Sequence, residues 1–227
     1  MDLAALFSGG KDSTFAIWKA QKMGHKVRCL VTIMPHSEES HLLHHPNILH
    51  TALQAESMNI PQIIKRAKSD DAQEQLDLMT SALLEAKNLY SVNGIVHGGI
   101  LSEFQKNHFE TVASSLGLYV VTPIWKTNQQ QYMKELLESK FEFVISAVSC
   151  DGLDDSWLGR KITSDDLLKL EALSEKHKFN LSFEGGEAET FVVNCPLFDN
   201  AIKITDYKKH WDGYRGSFEI LQAKIGV

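Results

Sequence analysis

Six residues near the start of the chain, Ser8-Gly9-Gly10-Lys11-Asp12-Ser13, put hydroxyls, bare backbone, a cation and a carboxylate into one short turn. The apolar run Leu3–Phe7 leads into them, and a helical pattern, Thr14–Met23, follows at once. A strand, a glycine turn and a helix together make a phosphate site. Free amides of the turn and of the helix N-terminus converge on an anion, and the helix dipole favours its charge. Gly9 and Gly10 lack the side chains that would block a close approach. Lys11 would add a mobile positive charge, Ser8 and Ser13 hydroxyl donors, and Asp12 a cap or a magnesium ligand. In such a polar turn, removal of Lys11 should leave no core cavity. The pattern is neither a Walker A loop, G-x-x-x-x-G-K-S/T, nor a dinucleotide fingerprint.

Three other stretches carry groups able to do chemistry. Glu187 and Glu189 are two apart and face one side if the chain is extended there, with Glu184 across two glycines. Such carboxylates suit magnesium beside pyrophosphate, the cationic part of a substrate, or simply a solvated turn. Gly98-Gly99 follows an apolar segment and precedes Ser102, Gln105 and Lys106, and Cys150-Asp151-Gly152 follows another. Trp157-Leu158-Gly159-Arg160 could place Arg160 near a phosphate or serve as an aromatic joint. His36, His41, His44 and His45 crowd one segment, but no fourth ligand has convincing spacing, so a polar loop is the better reading.

These groups need a scaffold. Apolar strands are predicted at 3–7, 27–34, 94–97, 118–121 and 143–148, with a short one near 61–65. Helices are predicted between them at 14–23, 47–58, 71–87, 103–116 and 129–137. The alternation implies an α/β fold, a parallel sheet with helices on both faces and right-handed crossovers. Gly98-Gly99 and Asp151 would then lie at the carboxyl edge of that sheet, where open α/β folds bind ligands. After Cys150 the rhythm changes to one helix, an acidic glycine turn and short strands. Two units are expected: a nucleotide-binding domain over 1–150 and a smaller α+β lobe over 151–227.

The 227 residues, 43% of them apolar, suffice for a well-buried core. A net charge of -6 gives no sign of a nucleic-acid binder. Cys29, Cys150 and Cys195 form no CxxC, which argues against a disulfide framework or thiolate zinc site. No leader or membrane-spanning run stands out, so a cytoplasmic protein is expected.

With these residues assembled, SGGKDS resembles the pyrophosphate loop of the N-type ATP pyrophosphatases. Those enzymes split ATP between the α and β phosphates, form an adenylate and let a nitrogen or sulfur nucleophile displace AMP. Further stretches narrow the likeness: His45-Pro46-Asn47, Gly98 through Lys106, Gly152-Leu153, Trp157 through Arg160, Glu184 through Thr190, and Asn194 through Phe198. Over essentially the whole chain they resemble the diphthine–ammonia ligase family in its short, archaeal-type form. Phe7, Phe104 and His108 depart from its usual Tyr, Tyr and Arg.

That resemblance implies ATP and magnesium as cofactors, diphthine on elongation factor 2 as substrate, and free ammonium as nitrogen source. A homodimer is compatible with it. It implies catalytic roles for Lys11, Asp12, Glu187 and Glu189. Nucleotide contacts fall to Ser8, Gly9, Gly10, Lys11, Asp12, Ser13, Gly98 and Gly99. Substrate contacts fall to His45, Asn47, Ser102, Gln105, Lys106, Asp151, Arg160 and Glu184, with Asp12 toward magnesium. The alternatives are another N-type pyrophosphatase, acting on tRNA or a small metabolite, and a non-catalytic nucleotide sensor.

Overall fold

The computed structural model describes residues 1–36 and 47–226, and strands alternate with helices through its first part. These are β1 (Asp2–Leu6), α1 (Lys11–Lys22), β2 (Lys26–Met34), α2 (Thr51–Ser57), β3 (Gln62–Arg66), α3 (Ala72–Tyr90), β4 (Gly94–Val96), α4 (Glu103–Ser115) and β5 (Tyr119–Val121). The five strands pair in parallel in the order β3-β2-β1-β4-β5. A parallel neighbour cannot be reached by a hairpin, which is why a helix stands in each crossover.

Alternation along the strands divides the core. On β1, Ala4 faces one side with Met79, Ala82 and Leu83 of α3 and Val112 of α4. Leu3 and Ala5 face the other, with Phe15 and Ile17 of α1. The strand order reverses at β1. The connections leaving β1 and β4 therefore diverge and open a crevice between them at the carboxyl edge.

Beyond β5 come α5 (Gln129–Glu138), β6 (Glu142–Val148), α6 (Ser164–His177), β7 (Ala188–Asn194), β8 (Ile202–Trp211) and β9 (Gly216–Ile225). These strands form a second, antiparallel sheet in the order β7-β6-β9-β8. The strand predicted at 143–148 forms, but it belongs to this sheet and not to the parallel one. An apolar run reports that a strand is buried on both faces; it carries no mark of its partner.

The second sheet is not a detached lobe. Phe143, Ile145, Phe191, Val192 and Ile220 share one core with Leu3 and Phe15. Phe15 meets Phe141 edge-on at 5.1 Å and Tyr132 at 5.6 Å, joining α1 to α5 and to the residue just before β6. Among the described residues, no helix is long and apolar enough to cross a membrane.

Candidate active site

The turn after β1 is held from three directions. Gly9 has a φ of +81°, a left-handed value that favours glycine, and a Cβ there would meet Gln54 Oε1 at 2.4 Å. Its carbonyl accepts the Gln54 amide at 3.0 Å and the Val192 N–H at 3.0 Å, from α2 and β7. The Lys11 N–H donates to Thr190 Oγ1 at 3.1 Å. Ser8 and Ser13 bring their hydroxyls within 3.1 Å of each other. Gly10 occupies the N-cap of α1 with no side-chain cap, so beyond the Lys11 N–H, which Thr190 takes, the first-turn amides are left for an anion.

Lys11 is not mobile. Its side chain is 2% exposed. Its ammonium donates to both Asp12 oxygens, at 3.0 and 2.9 Å, and to the Ser182 carbonyl at 2.6 Å. It stands 5.3 Å from the centre of the Phe183 ring. Asp12 Oδ1 also accepts the Tyr132 hydroxyl at 2.5 Å. Removal of Lys11 would therefore open a cavity, contrary to the sequence expectation, because residues 182–183 cover it from far along the chain.

Asp12, the residue expected toward magnesium, is held by its neighbours in this arrangement. That carboxylate is already engaged, and no group of three acidic, histidine or cysteine side chains among the described residues is placed to hold a metal.

The crevice opens into a cleft of about 980 Å³. Ser8, Gly10, Lys11, Asp12 and Ser13 line it from the β1–α1 turn, and Gly98, Gly99 and Ser102 from the β4–α4 connection. The turn before β7 closes it with Glu184, β7 with Glu189, and the β8–β9 hairpin with His210, Asp212 and Arg215. Gly98 is a point of contact between the two walls. A Cβ there would lie 2.4 Å from the Asp12 carbonyl carbon and 2.5 Å from the Ser13 nitrogen. Gly98→Ala should force the β4 loop off α1, destabilising the fold by about 1–3 kcal/mol. A thermal melt of the variant with and without ATP checks this: the midpoint should fall and the ATP-induced rise should shrink.

The three glutamates have three different situations. Glu184 Oε1 accepts the N–H groups of Ile100, Leu101 and Ser102 at 2.9, 3.0 and 3.1 Å, so it shapes the entry to α4. Glu187 accepts the Asn180 backbone and side-chain amides at 2.8 and 2.7 Å and the Gly185 N–H at 2.8 Å. It remains in the turn because β7 begins one residue later, so the two-residue spacing does not put it beside Glu189. Glu189 lies on the cleft floor. Burial pushes its pKa up to about 8; Lys11 opposes the rise, and Asp12 and Glu184 add to it.

Other expected site residues lie apart from the cleft. Arg160 pairs with Asp166 at 2.5 Å and lies 5.2 Å over Trp157. Lys106 pairs with Glu110 at 2.8 Å. Asn47 is buried, donating to the Phe218 carbonyl at 2.9 Å and accepting the Ile220 N–H at 2.8 Å, which ties the chain before α2 to β9. Asp151 lines a separate groove of about 260 Å³ with Trp211 and Tyr214. His41, His44 and His45 lie outside the described residues, as does the side chain of Gln105.

Tyr132, Gln54 and His97 escaped the sequence reading. Tyr132 sits among the buried positions of α5 with Met133 and Leu136, and a buried tyrosine normally seeks a partner for its hydroxyl. That was a usable signal; Gln54 offered none. His97 accepts the Gly99 N–H on Nδ1 at 3.1 Å, and burial lowers its pKa to about 4, which keeps it neutral.

Fold and cleft together define a class: an α/β protein whose glycine turn after β1 is closed over by a second sheet. Residues 1–120 match the diphthamide synthase N-terminal domain and residues 128–225 the diphthamide synthase C-terminal domain. The chain belongs to the diphthamide synthase family, which is ATP-dependent, and it is a ligase of diphthamide biosynthesis. It is 31% identical over 226 residues to the diphthine–ammonia ligase of Homo sapiens, covering 90% of this chain and 83% of that protein. It is 32% identical over 222 residues to that of Bos taurus, with the same coverage. The diphthine–ammonia ligase of Schizosaccharomyces pombe is 28% identical over 221 residues, which is 36% of that longer protein.

Proposed function

We propose that the protein amidates diphthine on elongation factor 2, using ATP and ammonium to yield diphthamide, AMP and pyrophosphate through an acyl-adenylate. The observation that carries this reading is one cleft, of about 980 Å³, with the phosphate turn on one wall and Glu189 on the other. That volume is at the upper end of the roughly 300–1,000 Å³ usual for ligand pockets, enough for a nucleotide with a modified side chain beside it. Oxide is a poor leaving group, so a carboxylate does not react usefully with ammonia until activated. The diphthine carboxylate would attack the α phosphorus, and ammonia would then displace AMP from the acyl carbon.

The protein's part is placement and charge. The open amides of the α1 first turn would hold the departing pyrophosphate, and Lys11, fixed on Asp12 and Ser182, would supply positive charge beside them. Magnesium would arrive on the phosphates of ATP, since the described residues form no cage for it. The acidic cleft suits the trimethylammonium of diphthine. Since the substrate is a translation factor, the proposal puts the reaction in the cytoplasm.

The test combines protein, ATP, magnesium, ammonium and diphthine-bearing elongation factor 2. Mass spectrometry should show OH replaced by NH2, with AMP formed in equal amount. ADP as the nucleotide product would sink the mechanism, and AMP formation driven by tRNA instead would favour a different substrate.

A further inference from the structure

Four carboxylates line the cleft among the described residues: Asp12, Glu184, Glu189 and Asp212. Three have partners. Asp12 takes Lys11 and Tyr132. Glu184 takes three consecutive backbone N–H groups. Asp212 takes the N–H groups of Tyr214 and Arg215 at 2.8 and 2.6 Å. Among the described residues Glu189 has no hydrogen-bond or ion-pair partner. The ammonium of Lys11, the nearby cation, is already directed at Asp12 and Ser182. A carboxylate without a partner among the described residues, in an open cleft, suits a small cation that can donate hydrogen bonds.

We infer that Glu189 is the ammonium site: it binds the incoming ammonium ion and accepts a proton from it, delivering ammonia to the activated acyl carbon. The inference rests on the reaction proposed above and assigns one step of it. Ammonium has no lone pair and cannot attack. One N–H bond breaks and its proton passes to the Glu189 carboxylate, which becomes the neutral acid. The freed lone pair forms the N–C bond. The C–O bond to AMP breaks, and its electron pair stays on the phosphate oxygen. The surplus proton on nitrogen leaves to water, and nothing is oxidised or reduced.

The surroundings suit the task. Lys11 and Asp12 face Glu189 from α1 and Glu184 faces it from the turn before β7, while His210, Asp212 and Arg215 stand on the rim. A general base works best when its pKa is near the operating pH, and burial in the cleft moves this carboxylate there, to about 8. A carboxylate free in water would be too weak a base for ammonium. The β7 register keeps it beside the phosphate turn, because the next residue, Thr190, accepts the Lys11 N–H.

Glu189→Gln separates this step from the others. Isotope exchange between pyrophosphate and ATP, driven by the diphthine substrate without ammonium, reports adenylate formation and a folded cleft together. It should stay within about twofold of wild type, while kcat/KM for ammonium falls about 100-fold or more. Hydroxylamine is largely unprotonated at neutral pH and needs no base, so its rate in the variant should stay close to wild type. The ammonium rate of the wild type should level off as Glu189 ionises near pH 8, whereas that of E189Q should keep rising with free ammonia.

Loss of exchange, loss of the hydroxylamine rate, or a raised KM for the diphthine substrate would overturn the assignment and make Glu189 part of activation or of trimethylammonium binding. Unchanged ammonium kinetics would overturn it too. Absence of exchange in the wild type itself would remove the proposed reaction and this step with it.

Discussion

Lys11→Ala will slow AMP formation by about 100-fold or more and will also lower the melting midpoint by several degrees. The first effect follows from position. In the proposed reaction Lys11 is the cation beside the departing pyrophosphate, and loss of one oriented charged contact where charge develops typically costs about 100- to 1,000-fold in rate. The second follows from burial. Alanine leaves a hole under Phe183, frees the Ser182 carbonyl and strips Asp12 of its ion pair. Breaking a fully buried pair costs about 3–5 kcal/mol, but Asp12 is 29% exposed and retains Tyr132, so about 2 kcal/mol is the better figure. For a chain of this size that is about 4–8 °C.

Lys11→Met separates the two effects. It fills the volume without the charge, so most of the rate loss should persist with a smaller fall in midpoint. ATP should raise the midpoint of wild type by linkage and that of both variants less. A Lys11→Ala protein with full rate and an unshifted midpoint would remove the lysine from the site and contradict its burial as well.

Glu184→Ala will destabilise the fold by about 3 kcal/mol, because a carboxylate that accepts three successive N–H groups makes charge-assisted bonds that water replaces poorly. AMP formation will fall too, since the segment released is the one carrying Gly98 and Gly99 against α1. Glu184→Gln keeps an acceptor oxygen in place and should recover most of both properties. A substrate-binding role, which the resemblance implies, makes a different forecast: an unchanged midpoint and a raised KM for the diphthine substrate alone. Melts and initial rates on the same two variants decide between positioning and binding.

What was readable in the chain was whatever is local. SGGKDS announces its turn because glycine, hydroxyl and charge are placed by their immediate neighbours. β1 and β2 announce themselves by apolar runs. The failures are all long-range. The strand at 142–148 is as apolar as its predecessors, and only its pairing with β7 and β9 removes it from the parallel sheet. Lys11 reads as a solvated residue because its cover, Ser182 and Phe183, arrives some 170 positions later. Glu187 and Glu189 look alike on paper, and a strand boundary at Ala188 gives one to a turn and the other to the cleft.

The turn at the head of the chain is finished by its tail. Its hydrogen bonds to Thr190 and Val192 close loops of about 180 residues, so they form only after those residues exist. At ribosomal speeds of about 5–20 residues per second, the phosphate turn waits on the order of ten seconds or more for its last partners. During that interval β1–β5 can assemble through nearer contacts, but the turn lacks its ties to β7 and Lys11 lacks its cover. If ATP binds at the turn as proposed, it should favour the arrangement with the second sheet in place, because only that arrangement completes the cleft.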